Sequence, residues 1–389
     1  MSVIMQYLSD LVLAQIENKE LGSIPEEVSI EELIKIAHIN HMDYMILGAL
    51  LKTDLSGEVK SRIRPFVMQS TIRSFAQEQC YQELEDRFEA EGIFHQVLKG
   101  TVLKKRYPSS KMREMSDIDI MIYDENLFRA KKIVEEMGFT LYQSIKHHEI
   151  YRKPPFLIVE LHHALYDKDV DRIQYEYFKN DKNLVTKEGK KYALQFEAED
   201  FYVYLISHMA KHFYETGCGI RNIVDVYLYR QIYEVNWNEA IIKAELDKCG
   251  LTVFESRIHT LASVWLGGQP VDSFSLKLFD YMVHCGIYGK GENGLWGQFA
   301  QLNKGDSINY QSYAKWWYYF PPKTYMERDY PWLKRYPFLL VAAWAIRAVH
   351  GILNENGREK RQMLLSINSE EVRRMTEIYQ GMQLQFKVD

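Results

Sequence analysis

Two aspartates, Asp117 and Asp119, stand two positions apart in an alternating polar and apolar run that covers residues 116–122. Residues two apart in a β-strand project from the same face, so both carboxylates would point the same way and lie close enough to share divalent cations. Adjacent like charges cost stability unless a cation lies between them. The pattern therefore favours a metal site, although a pair of solvated carboxylates on an exposed strand also fits it.

Three neighbouring features support the metal-site interpretation. Residues 98–101, Leu-Lys-Gly-Thr, predict a strand that ends in a glycine turn and leads into a helix whose first amides could bind phosphate. Arg113 could reach a polyphosphate or brace the acidic loop. Glu160 adds a third carboxylate within an apolar strand. Three acids could hold two metal ions, of which one lowers the pKa of an attacking hydroxyl while the other neutralises charge on a triphosphate.

The elements that must position these residues divide the chain into three regions. Residues 1–91 place apolar side chains at helical spacing and predict a long helix, or two, ending near residue 92. Helix and strand signals alternate only over residues 92–185, where 139–151 and 156–162 predict two strands joined by a turn. Residues 186–389 are again helical in pattern, with successive helices predicted between 199 and 281. We therefore expect an α+β fold in which a small mixed β-sheet with flanking helices is embedded between helical N- and C-terminal regions.

The composition excludes several classes of protein. The chain has 389 residues, with 48 Lys and Arg against 53 Asp and Glu, which argues against a dedicated polynucleotide-binding protein. Its four cysteines are widely spaced, which predicts buried thiols and a cytoplasmic location. The longest apolar run, residues 338–346, is too short to span a bilayer and predicts a buried helix rather than a membrane-surface one. No membrane association is expected.

The order of these motifs resembles the nucleotidyltransferase superfamily, whose pattern is a glycine turn, a D-x-D strand and a third acid on a later strand. It is most similar to a broad bacterial group of uncharacterised nucleotidyltransferase-like proteins. The residues that carry this resemblance are Leu98-Lys99-Gly100, Tyr107-Pro108, Arg113, Asp117-Ile118-Asp119, Glu160-Leu161-His162 and the segments 208–212 and 221–225. The chain departs from the superfamily at the turn, where Gly-Ser or Gly-Gly is common and this sequence has Gly100-Thr101.

The resemblance implies a nucleotidyltransferase-like sheet and the transfer of a nucleoside monophosphate from an NTP to a hydroxyl of a small molecule or protein. It implies Mg²⁺ or Mn²⁺ as cofactor, bound by Asp117, Asp119 and Glu160, with these three as the catalytic residues and Glu160 as general base. The nucleotide-binding residues that it implies are Lys99, Gly100, Thr101, Arg113, His162, His208, Lys211 and His212.

Several alternatives stay open at the level of sequence. His208 and His212 have the spacing of a zinc pair but lack the glutamate of an H-E-x-x-H motif, so a packing network or a second wall of the nucleotide site is favoured. Asp225 could orient Lys211 or Arg221, or form an ordinary surface ion pair. The aromatic segment 316–320 could stack a base, but a hydrophobic seam between helices is favoured. Two other functions also fit: an inactive nucleotide-binding regulatory or scaffolding protein, and a toxin–antitoxin-type nucleotidyltransferase that modifies proteins.

Overall fold

The computed structural model describes residues 1–145, 147–168, 171–179, 184–289, 316, 319–353 and 369–384. The chain forms two compact units. The first contains residues 1–213 and 217–289, and the second contains residues 214–216 and the described residues between 316 and 384. All the residues predicted to form the site belong to the first unit.

The N-terminal region is helical, as predicted. Ser2, Ser29 and Ser56 each accept a hydrogen bond from a backbone N–H of the first turn and so begin three of its helices. The longest helix has 34 residues and is followed by Gly92, whose φ of +66° places it in the left-handed region that ends helices. The helices are α1 (Val3–Glu17), α2 (Ile30–Ile39), a short π-helix (Asp43–Leu47), α3 (Gly48–Leu50) and α4 (Gly57–Ala90).

A seven-stranded mixed sheet follows, with the strand order β3-β4-β5-β2-β1-β7-β6. Parallel pairs join β2 to β5 and β1 to β7, while the other neighbours are antiparallel. The strands are β1 (His95–Val97), β2 (Ile118–Ile122), β3 (Thr140–Ile145), β4 (His148–Lys153), β5 (Leu157–His162), β6 (Leu184–Thr186) and β7 (Ala193–Phe196). Three short helices lie within this region: α5 (Lys99–Lys104), α6 (Leu127–Glu136) and α7 (Arg172–Phe178).

The sheet differs from the sequence-based prediction in two places. Residues 139–151, predicted as one strand, form β3 and the first part of β4, which pair with each other as a hairpin. The sheet also continues past residue 185 to β7. Strand β6 has three residues and β7 has four, which is too few to show an alternation of polar and apolar side chains in the sequence. Strand β7 belongs to the sheet because it pairs with β1, which is distant in sequence.

One face of the sheet forms the core of this region. Ile118, Ile120 and Ile122 of β2 are fully buried and pack with Leu84 and Phe88 of α4. Because side chains alternate along a strand, Asp119 and Met121 must project from the opposite face. The apolar face therefore anchors β2 and leaves its acidic residue on the side that α4 does not cover.

Five helices complete the first unit, in agreement with the predicted helical pattern. Their interior is rich in aromatic rings, including the buried Tyr202 and Tyr229, which stack on each other and meet the half-buried Trp237 at a tilt. All four cysteines are buried, as predicted, and none of them forms a disulfide. The helices are α8 (Ala198–Glu215), α9 (Arg221–Tyr233), α10 (Glu239–Lys248), α11 (Thr252–Trp265) and α12 (Ser273–Cys285).

The second unit contains three described helices, α13 (Lys323–Asp329), α14 (Leu340–Leu353) and α15 (Ser369–Met382). Phe320 packs edge-on against Trp344, whose indole N–H donates to the carbonyl oxygen of Pro321 at 2.8 Å. Of the described residues of the aromatic segment, Trp316, Tyr319 and Phe320 are all more than 40% exposed, so the seam favoured from the sequence stays a prediction. Residues 317 and 318 lie outside the described residues.

The prediction of a buried helix over residues 338–346 was wrong for much of that run. Phe338 is 76% exposed and Val341 68% exposed, whereas Ala343 is fully buried. A continuous apolar run covers every side of a helix, and only the side that meets a neighbour becomes buried. No helix among the described residues is long and apolar enough to cross a bilayer.

Candidate active site

The pairing of β2 with β5 brings two of the predicted acids together. These strands are parallel, and their register places Asp119 directly beside Glu160. His162 lies two residues beyond Glu160, so its side chain projects from the same face. The sequence motifs are some 40 positions apart, and it is this register that joins them into one group.

Asp119, Glu160 and His162 each offer a ligand atom within 4.8 Å of the other two. The Nε2 atom of His162 lies 3.1 Å from Oδ1 of Asp119 and 3.5 Å from Oε2 of Glu160. His148, on the adjacent strand β4, approaches the same Glu160 oxygen at 3.5 Å. Two carboxylates thus face each other with imidazoles between and beside them.

Opposite charges set the protonation of this group. Burial alone would raise the pKa of Asp119, but the Lys99 ammonium and the hydrogen bond from His162 hold it well below its usual range. Burial alone would lower the pKa of His162, but its hydrogen bonds to Asp119 and Glu160 raise it. Asp119 is therefore ionised at neutral pH, and the raised pKa favours a His162 imidazolium that partly balances the two acids.

Asp117 immediately precedes β2 and lines the same cavity. Desolvation raises its pKa to about 7, and the neighbouring charge of Asp119 adds to the effect. A carboxyl group held at this pKa is poised to lose its proton when a cation approaches. Asp117 lies outside the three-residue group described above, in which His162 takes the third position.

The donor set fits a divalent cation. Two carboxylates within reach of one another, with a third close by in sequence, provide the oxygen ligands that Mg²⁺ and Mn²⁺ prefer. Once its proton is displaced, His162 would add an imidazole nitrogen, which manganese accepts more readily than magnesium. Two of the three predicted metal ligands, Asp119 and Glu160, therefore belong to the observed group, and His162 is its third residue.

A second wall of the site comes from Lys99 and helix α8. The Lys99 ammonium donates to Nε2 of His208 at 2.8 Å and lies 3.5 Å from Oδ2 of Asp119. The Nε2 atoms of His208 and His212 are 3.1 Å apart, so the two rings also lie within hydrogen-bond distance of each other.

These two histidines are neutral at pH 7. Burial and then the charges of Lys99 and Lys211 lower the pKa of His212 to about 3, and burial lowers that of His208 well below its usual value. Lys211 also lines the cavity, where its ammonium pairs with Asp171 at 3.2 Å. The helix therefore presents a hydrogen-bonded histidine pair and a lysine, the second wall favoured from the sequence.

The glycine turn is built differently from the expectation. A Cβ on Gly100 would lie 2.8 Å from Sδ of Met115 and 3.1 Å from a guanidinium nitrogen of Arg113, so any side chain here would have to displace Met115. Thr101 is buried, and its hydroxyl faces the Met115 sulfur at 3.9 Å. Thr101 is absent from the described lining of the cavity, whereas Gly100 belongs to it.

Arg113 braces the loop, one of its two predicted roles. Its Nε and one terminal nitrogen donate to the two oxygens of Asp225 at 3.1 and 2.9 Å, and its other terminal nitrogen donates to the carbonyl of Glu114 at 3.3 Å. Tyr107 donates to the same aspartate at 2.7 Å. Asp225 is thus a fully buried partner of Arg113, not a surface residue, and every guanidinium nitrogen of Arg113 is already engaged.

The cavity also contains residues to which the sequence assigned no role. Arg221, the first residue of α9, lies in a segment that matched the family pattern but carried no stated function. Tyr288 shares a hydrogen bond of 2.7 Å with Ser116 and meets His41 edge-on. No local spacing could have identified Tyr288, because only the fold brings it beside Ser116.

The cavity has a volume of about 310 Å³, and all of its lining residues belong to the first unit. Of the residues predicted from sequence, those that line it are Lys99, Gly100, Arg113, Asp117, Asp119, Glu160, His162, His208, Lys211 and His212.

The chain also matches a known protein family. The family model described as "Uncharacterised nucleotidyltransferase" matches residues 26–267, well over half of the chain. No curated protein matches.

Two solved structures are similar over half of the chain. One is ANT(2")-Ia in complex with adenylyl-2"-tobramycin, with 12% identity, 50% of this chain and 98% of that chain covered, and a TM-score of 0.26. The other is an antigenic nucleotidyltransferase-like protein from Paracoccidioides brasiliensis, with 17% identity, 52% and 94% covered, and a TM-score of 0.29.

Proposed function

Because the chain belongs to the family of uncharacterised nucleotidyltransferases, we propose that it transfers a nucleoside monophosphate from an NTP to a hydroxyl group. The observation that supports this most directly is the pairing of Asp119 with Glu160 on adjacent strands. Their carboxylates and His162 form a group that fits a divalent cation, inside a cavity that also holds Lys99 and Lys211. Acids for metal and cations for phosphate are the two requirements of this chemistry.

Asp119 and Glu160, joined by Asp117, would hold Mg²⁺ or Mn²⁺. When bound, the metal neutralises charge on the triphosphate and lowers the pKa of the acceptor hydroxyl. Asp117 supports this role because burial and then the negative charges of Asp119 and Glu160 raise its pKa, despite the opposing charges of Lys99 and Arg221, and a bound cation would relieve that repulsion. The Lys99 ammonium, which lies 3.5 Å from Oδ2 of Asp119, would also interact with the phosphates.

Glu160 would act as the general base. Its Oε2 atom lies 3.5 Å from Nε2 of both His148 and His162, which fixes the direction of the carboxylate. The bond that forms joins the acceptor oxygen to the α-phosphorus, the bond that breaks releases pyrophosphate, and the hydroxyl proton passes to Oε2. With Glu160 as the base, the acceptor would approach from the β5 side of the site.

The acceptor proposed here is a small molecule or a protein rather than a polynucleotide. The chain carries a formal net charge of −5, and binding of a polynucleotide backbone depends on an excess of lysine and arginine. A cavity of about 310 Å³ has the size of a small-molecule site.

The test is metal-dependent NTP binding by the full chain and by Asp119→Asn, which removes one charge with little change of shape. We expect one or more of the four NTPs, with Mg²⁺ or Mn²⁺, to stabilise the wild-type protein by about 2.7 kcal/mol at a hundredfold excess over Kd. Asp119→Asn should lose this stabilisation. Asp86→Asn is the matched control, because Asp86 is 61% exposed and lies on α4, outside the described lining of the cavity.

Equal NTP stabilisation of Asp119→Asn and wild type would refute the proposed site. Transfer itself is measured with α-labelled NTP added to separated small-molecule and protein fractions of a lysate. Label in a small molecule or in a protein, with release of pyrophosphate, identifies the class of acceptor. Metal-dependent binding with no transfer to either fraction would point instead to a regulatory nucleotide-binding protein.

A further inference from the structure

Arg221 is a buried cation at the wall of the active-site cavity. It is 7% exposed and stands at the first position of the 13-residue helix α9. One terminal nitrogen donates to the carbonyl oxygen of Glu114 at 2.7 Å, and its Nε atom is buried with no hydrogen-bond partner. In the described part of the chain, no carboxylate forms an ion pair with it.

Another arginine of the same helix also has a buried Nε atom without a hydrogen-bond partner, but its terminal nitrogens form ion pairs. Arg230 is equally buried but meets three carboxylates, those of Glu234, Glu239 and Glu255, at 2.9, 2.5 and 3.2 Å. The acid closest to Arg221 along its own helix, Asp225, is committed to Arg113. Since a buried charge without a counterion is costly, the contrast indicates that Arg221 receives its anion from outside the chain.

The surroundings of Arg221 suit a phosphate. A guanidinium group presents a planar fork of N–H donors that matches two phosphate oxygens. The N-terminus of α9 carries the positive end of the helix dipole, which also favours an anion at this place. Lys99 and Lys211 line the same cavity and add positive charge.

The position of Arg221 specifies which phosphate it meets. It holds the carbonyl of Glu114, three residues before Asp117, so it lies at the Asp117 end of the acidic group. Glu160 lies at the other end, on β5 beyond Asp119. In an in-line displacement the leaving group departs opposite the attacking hydroxyl. With the hydroxyl at Glu160, the leaving pyrophosphate would then be on the Arg221 side.

We propose that Arg221 binds the β- and γ-phosphates of the NTP and the pyrophosphate that leaves, an assignment that rests on the proposed nucleotidyl transfer. As the bond between the α-phosphorus and the bridging oxygen breaks, its electron pair passes to the β-phosphate, and the N–H groups of Arg221 donate to the oxygens that gain charge. Arg113 has a different role: each of its three guanidinium nitrogens already donates a hydrogen bond within the protein, and these bonds hold the loop in place.

The experiment compares the affinities of NTP, pyrophosphate and NMP for the full chain in the presence of Mn²⁺, by isothermal titration. Removing a charged hydrogen-bond donor costs roughly a factor of 10–100 in affinity. We expect Arg221→Gln to lose this factor for NTP and pyrophosphate and to keep NMP affinity within about twofold. Arg221→Lys, which keeps the charge but not the fork, should recover part of the loss.

Arg230→Gln serves as the matched control. It removes a buried arginine of the same helix whose three ion-pair partners are all protein carboxylates, so it should lower the melting temperature and leave pyrophosphate affinity unchanged. Arg221→Gln should melt close to the wild type without ligand, because no ion pair is lost and the glutamine amide can still donate to Glu114.

The inference is overturned if Arg221→Gln binds pyrophosphate as the wild type does, or if it loses NMP and pyrophosphate affinity equally. Either result leaves the proposed function intact when Asp119→Asn still abolishes metal-dependent NTP binding. If the wild-type chain binds neither NTP nor pyrophosphate with metal, both this inference and the proposed function fail.

Discussion

Replacement of Asp225 by alanine removes the carboxylate that holds Arg113 in place. The two side chains are 0% and 6% exposed, and two parallel N–H···O bonds of 3.1 and 2.9 Å join them. Tyr107 donates a further hydrogen bond to the same carboxylate. The substitution therefore leaves a buried guanidinium and a buried hydroxyl without their acceptor.

The magnitude follows from this burial. Removing one partner of a buried ion pair costs about 3–5 kcal/mol, mainly because the remaining charge stays desolvated and unpaired. For a unit of this size, such a loss corresponds to a fall in melting temperature on the order of 6–10 °C. Asp225→Asn should cost roughly half as much, since its amide oxygen can still accept from Tyr107 or Arg113.

The assay is thermal unfolding of the full chain, followed by tryptophan fluorescence and circular dichroism. Glu83→Ala provides the control, because Glu83 and Arg87 form an ion pair with 52% and 41% exposed side chains. Exposed pairs of this kind contribute about 0.3–0.5 kcal/mol.

Two outcomes would contradict the reasoning. One is a melting temperature of Asp225→Ala no lower than that of Glu83→Ala. The other is a double variant, Arg113→Met with Asp225→Leu, that is as unstable as Asp225→Ala alone. An apolar pair of similar volume should recover most of the stability, because it leaves no unpaired charge.

Two further perturbations test the packing and the charge around the site. Gly100→Ala should lower stability by about 1–3 kcal/mol in a thermal melt, since its Cβ would lie 2.8 Å from the Met115 sulfur; an unchanged melting temperature would show that Met115 moves aside freely. Burial raises the pKa of Glu114 from 4.5 to about 7, so the folded chain keeps this proton at a pH where the unfolded chain has released it. Stability should therefore fall as pH rises from about 4.5 to about 7, and Glu114→Gln should show a smaller fall between pH 5 and pH 8. Equal slopes for the variant and the wild type would exclude Glu114 as a source of the pH dependence.

The sequence by itself determined the features that depend on neighbours along the chain. The alternation of Asp119 with Ile118 and Ile120 assigns the acid to one face of β2 and the apolar residues to the other, because side chains of a strand alternate. The same local rules predicted the long helix that ends before Gly92 and the successive helices after residue 198. The α+β fold and the family followed from the order of short motifs.

The tertiary structure alone decided which side chains meet. The register of β2 with β5 joined Asp119 to Glu160 and brought in His162, where the sequence had suggested Asp117 as the third member. The extended sheet depends on β7, whose few residues pair with a strand almost a hundred positions earlier.

Contacts between residues distant in sequence also decided which charged side chains pair with each other. Arg113 could reach a phosphate or brace a loop, and the buried Asp225 of α9, far away in sequence, engages it for bracing. Arg221, which carried no assigned role, lines the cavity and forms no ion pair within the described residues. Spacing along a chain specifies the direction of a side chain relative to its own strand or helix. Burial and the competition between charges, which exist only in the folded chain, specify its partner.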